Sequence, residues 1–299
     1  MGNLMGTICL AILVGSMANA GLSDIVAGEP ERVSADLEFT EGPVWHPDEY
    51  LLFSDIPANT IYKWISDGKL EKFRSHSGNS NGLTLDKQGR LVACEHGNRR
   101  VSRTELDGTI AAIAEKYQGK RLNSPNDVVV KSDGSIYFTD PPYGVQPDQR
   151  ELDFQGVYRI APDGTLTLLL DDFEKPNGLA FSPDEKVLYV GDTAHKHVRA
   201  FDVQPDGTLS NGRIFADLGA EKQHGPDGMK VDANGNLYVT AGVVWVFDRE
   251  GNHLGDIAIP DAPANLAFGD ADYKTLYITA RPSLYRIRLK VQGATAPGK

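Results

Sequence analysis

The sequence predicts an all-β fold, a six-bladed β-propeller of four-stranded antiparallel blades. Three observations carry that expectation: a strand–turn–strand phrase that recurs, a spacing of roughly 40 to 50 residues between its copies, and a composition rich in turn formers. The 299 residues include 31 Gly and 17 Pro, with 40% hydrophobic residues and aromatics spread along the chain. Such a composition favours short strands between turns over long helices.

Each copy opens with a polar anchor leading into a short apolar strand: Glu41-Gly-Pro-Val-Trp, Asn81-Gly-Leu-Thr-Leu, Asn126-Asp-Val-Val-Val, Asn177-Gly-Leu-Ala-Phe, Asp227-Gly-Met-Lys-Val and Asn265-Leu-Ala-Phe. A turn of Asp, Gly, Asn or Pro follows, which is hairpin chemistry. The second strands start at Leu51, Leu91, Ile136, Leu188, Leu237 and Leu276, and the first four of them end on Asp55, Glu95, Asp140 and Asp192. Third strands begin at Ile61, Val101, Val157, Val198, Val244 and Leu284, usually running into an Asp-Gly or Glu-Gly turn. The sixth copy has no outer strand before the short tail of residues 293–299. A segment within residues 24–39 is therefore expected to pair onto it, closing the ring and removing two free sheet edges. The propeller is expected to span residues 21–292.

Ahead of it, the apolar run Ile8 to Val14 and the Ala18-Asn19-Ala20 pattern read as a signal peptide over residues 1–20. The expected mature protein is exported, periplasmic or secreted, and the run is too short to span a bilayer. Cys9 would leave with the signal, so Cys94 is expected to pack in the core with no disulfide partner. Thirty Lys plus Arg against 41 Asp plus Glu give a net charge of −11. That balance argues against a nucleic-acid partner and against a membrane surface for the mature form.

In an antiparallel meander the start of the first strand and the end of the second share one face. First strands line the channel of a propeller, so the anchors converge there. Glu41, Asn126, Asn177 and Asp227 bring two carboxylates and two amide carbonyls, hard oxygen ligands suited to Ca²⁺, Mg²⁺ or Mn²⁺. Taken singly, each is equally an Asx turn at a strand start. A divalent ion at such a site would polarise an ester carbonyl, and a carboxylate near it would take a proton from water. Asp227, Asp140, His96 and His224 share that rim as candidate bases. No G-x-S-x-G elbow, P-loop or dinucleotide fingerprint is present. His195 and His197 read as a solvated turn.

Glu41-Gly-Pro, Asn123-Ser-Pro-Asn126-Asp with Phe138-Thr-Asp-Pro-Pro-Tyr-Gly144, Lys175-Pro-Asn177-Gly and His224-Gly-Pro-Asp227-Gly resemble the gluconolactonase branch of the senescence-marker-protein/gluconolactonase (regucalcin-like) family. The resemblance covers roughly residues 36 to 290. It implies a six-bladed propeller that hydrolyses sugar lactones with one divalent cation, commonly Ca²⁺ and sometimes Zn²⁺ or Mn²⁺. It implies Glu41, Asn177 and Asp227 as direct ligands, Asn126 beside them as ligand or substrate contact, and Asp227 as general base. Where the animal branch carries a sugar-gripping Arg, this chain has Ser124, and Arg121 is the candidate replacement. Asp140, His96, His224 and Tyr143 complete the expected substrate contacts. Two other functions fit the same frame: a non-catalytic binding platform with a structural ion, and a phosphotriesterase-like hydrolase. Between the second and third strands of the third copy, residues 144–155 form a long loop. It is expected to border the channel mouth, with Tyr143 and Phe154 as apolar wall and Arg150 within reach of substrate.

Overall fold

The computed structural model describes residues 21–66, 68–219 and 222–294, so the expected signal peptide lies outside the described residues. Six four-stranded antiparallel sheets succeed one another as the blades of a propeller. Blade one is Thr40–His46, Tyr50–Asp55, Thr60–Ile65 and Leu70–Ser75; blade two is Ser80–Leu85, Leu91–Glu95, Arg100–Thr104 and Ile110–Ala114. Blade three is Val128–Val130, Ile136–Asp140, Gln155–Ile160 and Leu166–Phe173; blade four is Pro176–Phe181, Val187–Asp192, His197–Val203 and Leu209–Asp217. Blade five is Met229–Val231, Leu237–Thr240, Val244–Phe247 and His253–Ile257. Blade six takes Ala262–Gly269, Thr275–Arg281 and Ser283–Arg288 from the end of the chain and Glu31–Ser34 from its start.

That last pairing closes the ring, as expected from the missing outer strand. Glu31 lies opposite Arg286 and accepts from its Nε at 2.8 Å, Val26 bridges Leu289, and Ile25 is buried against blades five and six. At the other end of the chain, Gly293 bridges Asp232 and the Ala294 N–H donates to the Val231 carbonyl.

Second strands read as unbroken apolar runs because both of their faces are covered by neighbouring blades. Leu51, Leu52 and Phe53 are all buried, whereas Leu70–Ser75, an outer strand, is largely open. The core is accordingly a set of layers between blades. Trp45, Phe53 and Trp64 of blade one pack with Tyr277 and Leu284 of blade six, and Tyr137 and Val157 of blade three with Leu188 and Phe201 of blade four. Cys94 is fully buried in the layer between blades two and three, and burial pushes its thiol well above the usual range.

At the hub, the residue after the anchor decides how closely the blades approach. Gly82 N donates to Asn126 O at 2.8 Å, Gly178 N to Asp227 O at 3.0 Å and Gly228 N to Ala264 O at 2.7 Å, each bond crossing from one blade to the next. A Cβ on Gly178 would collide with the Asp227 carbonyl oxygen, and one on Gly228 with the Asn265 side chain. Hydroxyls from second strands add to the seams: Ser54 donates to Asn81 O at 2.8 Å, Thr139 to Asn177 O at 2.7 Å and Thr240 to Ala264 O at 2.6 Å. The four anchor-glycine dipeptides are thus packing devices that help to draw the six polar anchors onto one axis. Farther along the first strands, at the opposite end of the channel, lies an apolar cavity of about 340 Å³ walled by Trp45, Leu85, Val130, Phe181, Val231 and Phe268. It contains none of the hub carboxylates.

Candidate active site

Glu41, Asn126 and Asn177 are buried at the hub, and Asp227 keeps 21% of its side-chain surface. Glu41 Oε2 accepts from the Gly42 N–H at 2.8 Å. Desolvation, then the neighbouring Asp227 and Asp127, hold the Glu41 carboxyl well above the usual carboxylate range. Asp227 is pushed up to about 7 by desolvation, with Arg281, Asn177 and Glu41 pulling the other way and Asp127 adding to the rise. The two carboxyls are thus neighbours whose burial disfavours the charged form of both, with a hydrogen bond between them that partly offsets the rise at Asp227.

Three carboxyl groups share this buried space, since Asp127 also lies there and burial raises it too. Its Oδ1 accepts from Val128 N, while its Oδ2 and the Oδ1 of Asn81 are buried with no hydrogen-bond partner. Several close carboxyls, each raised by burial, and orphaned oxygens suit a hard divalent cation, which would neutralise the charges and satisfy the acceptors together.

Around the hub stand polar groups from several blades. Asn177 Nδ2 donates to Thr193 Oγ1 at 3.1 Å and to the Tyr143 hydroxyl at 3.4 Å, and Thr193 donates in turn to Pro226 O at 2.6 Å. Tyr143 thus presents a hydroxyl, raised by burial to about 12, to the blade-four anchor. His96 Nε2 lies 3.3 Å from Asn81 Nδ2, and burial lowers its imidazole to about 4, so the ring is neutral. His224 is exposed and lies over Gly242 of blade five. Arg281 Nη2 is 3.6 Å from Asp227 Oδ2.

Three expected placements are corrected. Asp140 does not face the hub. Its oxygens accept the N–H groups of Asn123 and Ser124, each at 2.8 Å, and it is fully buried with its carboxyl raised to about 7 by desolvation. Asp55 holds the amides of Glu38 and Phe39 in the same way, and Asp192 those of Glu174 and Lys175. In each case the acid ending the second strand clasps the segment that leads into its own blade's first strand. Asp192 also receives His195 Nδ1 at 2.8 Å, and with His195 and His197 it brings ligand atoms within 4.8 Å of one another. The Asp192 oxygens are already committed to backbone amides, and His195 is 51% exposed.

The long loop of blade three likewise departs from expectation. Leu152 and Phe154 pack into the layer between blades two and three, where Phe154 meets Tyr117 edge-on. Gln149 O accepts from Arg99 Nη1, and Arg150 is exposed. Only Tyr143 and Gly144 reach the site side, Gly144 lying against Ser124 and His96. Apolar residues in a long loop find the nearest core, and this loop is fastened over a seam between blades. Arg121 is also directed elsewhere, its Nη2 donating to Asn98 O and its backbone N–H to Glu151.

A clasp predicts a structural phenotype. In Asp140→Asn the amide group would turn N–H toward N–H at one of the two bonds, and the fold should lose about 2 kcal/mol while the folded protein keeps its turnover. Urea melts and rate measurements on the same variant check this. Lost turnover at unchanged stability would return Asp140 to the chemistry.

Sequence reasoning missed Asp127, Thr193 and Arg281. His96, Thr193 and Arg281 occupy one position of the sequence repeat, the residue after Glu95, Asp192 and Ala280, which after Asp55, Asp140 and Ala241 in the other blades is Ile56, Pro141 and Gly242. Without the propeller frame, nothing in so varied a position marks it as part of a site.

The chain is similar to several known proteins. A gluconolactonase of Zymomonas mobilis subsp. mobilis is 34% identical over 292 residues, covering 88% of this chain and 82% of that protein. Regucalcin of Oryctolagus cuniculus is 30% identical over 246 residues, 80% of this chain and 82% of its own. A solved gluconolactonase from Xanthomonas campestris superposes with a TM-score of 0.82 at 38% identity, covering 90% of this chain and 92% of that one. The family model described as SMP-30/Gluconolactonase/LRE-like region matches residues 39–281, from just before the Glu41 anchor to Arg281. With the propeller, its converging anchors and these relatives in place, the chain belongs to the SMP-30/gluconolactonase/LRE-like family.

Proposed function

We propose that this protein hydrolyses sugar lactones at the hub, with Asp227 as general base and a divalent cation, Ca²⁺ foremost, held by Glu41, Asn177 and Asp227. The observation that carries the reading is the meeting of these three oxygen-bearing side chains, each from a different blade, at one end of the channel. Relatives named gluconolactonase and lactonase support the coarser statement that the chain is a lactonase.

When bound, the cation would supply Lewis-acid polarisation of the lactone carbonyl and charge stabilisation of the oxygen that becomes anionic. The chain's own residues do the rest. Asn126 and the Tyr143 hydroxyl offer hydrogen bonds to the hydroxyls of the ring, fixing its orientation over Asp227. Neutral His96 forms part of the wall. As water bonds to the carbonyl carbon, Asp227 takes its proton. The ring C–O bond then breaks, and the proton on Asp227 passes to the departing alkoxide. One water is consumed, one hydroxy acid is released, and the Asp227 carboxylate is regenerated.

Acid release from glucono-δ-lactone, an aryl ester and a phosphotriester, each with and without EDTA, tests the proposal. Glucono-δ-lactone should be the preferred substrate, and its turnover should drop by about 10²-fold or more in chelator and return with Ca²⁺. Equal turnover in EDTA would remove the cation from the reaction. Cation binding without lactone turnover would favour a binding platform, and a preference for the phosphotriester the phosphotriesterase-like reading.

A further inference from the structure

Arg281 ends the second strand of blade six, and its guanidinium is stacked on an aromatic ring at the edge of the hub. Its Cζ lies 3.8 Å from the centroid of Phe39. Phe39 is itself held on both sides of its backbone, its N–H donating to the Asp55 clasp at 3.0 Å and its carbonyl accepting from Ile56 N at 3.1 Å. A planar guanidinium seated on a fixed ring is already oriented, so little freedom is lost when it donates to a ligand. At 3.6 Å the approach to Asp227 is an ion pair and too long for a hydrogen bond. The side chain is 46% exposed, and its Nη2 is the atom that faces Asp227, leaving a guanidinium with five N–H donors at the edge of the hub.

That space is where the reacting carbonyl must lie if Asp227 takes the proton of the attacking water. We propose that Arg281 is the specificity-determining residue for polyhydroxylated lactones. Its guanidinium donates to the hydroxyl next to the reacting carbonyl and, after ring opening, to the carboxylate that hydrolysis creates. The inference rests on the lactonase reading of the same hub. A fork of parallel N–H groups matches the two oxygens of a carboxylate. A site arranged to hydrogen-bond a hydroxyl discriminates against an analogue lacking it far more than an apolar pocket does. Hub carboxyls alone would repel the anionic product, and Arg281 supplies the opposite charge beside them.

The test compares wild type with Arg281→Met, which keeps an unbranched stem on Phe39 and removes every donor, and with Arg281→Lys, which keeps charge without the fork. Two lactones with the same six-membered ester are used, glucono-δ-lactone and unsubstituted δ-valerolactone, and gluconate is titrated calorimetrically into each protein. Arg281→Met should raise KM for glucono-δ-lactone and weaken gluconate binding by roughly tenfold or more, and kcat/KM should fall about tenfold further for glucono-δ-lactone than for δ-valerolactone, since any loss that acts through Asp227 is shared by both lactones. Arg281→Lys should fall between the two. An equal fall in kcat on both lactones with gluconate affinity unchanged would overturn the proposal and leave Arg281 a positioning residue for Asp227. Turnover of neither lactone by wild type would count against the lactonase reading itself. The gluconate titration then still decides on Arg281: equal affinity in wild type and Arg281→Met refutes it, and a tenfold loss supports it.

Discussion

Asp227→Asn should lose about 10³-fold in lactone turnover while folding normally. Two functions go together in this substitution: an anionic oxygen ligand, and the base that accepts the proton of water. The fold should tolerate the loss because the wild-type hub, without cation, crowds Asp227 against Glu41 and Asp127, and a neutral amide relieves that repulsion. The pH dependence carries the same signature. Asp227 rises from an ordinary value of 3.8 to about 7 in the cation-free fold. A raised folded value means that the native state holds the proton more tightly, so its contribution to stability is complete below about pH 4 and fades as pH climbs through about 7. In EDTA the wild-type melting temperature should therefore decline from pH 5 to pH 8, and Asp227→Asn should decline less. Added Ca²⁺ should stabilise wild type increasingly as pH rises and Asp227→Asn much less. Wild-type turnover in the variant, or an undiminished response to Ca²⁺, would sink the assignment of Asp227.

Gly178→Ala should damage both stability and activity although it adds a single methyl group. Its Cβ would meet the Asp227 carbonyl oxygen and Gly228 Cα, which are backbone atoms of the next blade and have no rotamer to escape into. The Gly178 N–H to Asp227 O bond at 3.0 Å would have to lengthen as the seam opens. Overpacking of this kind costs about 3 kcal/mol. Because the same seam sets Asn177 beside Asp227, a shift of about 1 Å should lower turnover by roughly 10²-fold in the protein that still folds. Gly28→Ala is the control, since no atom lies within 4 Å of a Cβ built there. Urea denaturation and kcat measured on both variants separate hub packing from a general intolerance of alanine. A Gly178→Ala protein as stable and as active as Gly28→Ala would refute the hub argument.

Much of the frame was legible because strands announce themselves locally. Leu51-Leu-Phe or Leu188-Tyr-Val between turn residues is readable without a partner, and six such phrases with one outer strand missing already point to a ring closed from the N-terminal side. The anchors were legible as a set and ambiguous singly, since Asn177-Gly178 is an Asx turn by composition and a hub contact only once the neighbouring blade is in place. Asp140 misled because an acid at a strand end looks the same whether it faces substrate or the two amides of Asn123 and Ser124. Arg281 and Thr193 were invisible for the opposite reason: their position in the repeat accepts Ile56 or Pro141 elsewhere. Phe154 was misplaced because loop length reports that a segment is extra and says nothing of which core its aromatic ring will find.

The pairing of Glu31–Ser34 with Ser283–Arg288 also imposes an order of events. Glu31 and Arg286 are 255 positions apart, so the strand that emerges early has no partner until nearly the whole chain is available. Contacts so remote in sequence form slowly, and the blades between them can assemble first from local hairpins. Blade six then closes last, by docking a segment that has waited as an unpaired edge. Until that moment the chain carries two unpaired strand edges, one at each side of the gap, and this is the interval in which it is most open to aggregation or to exchange of the strand with a second copy.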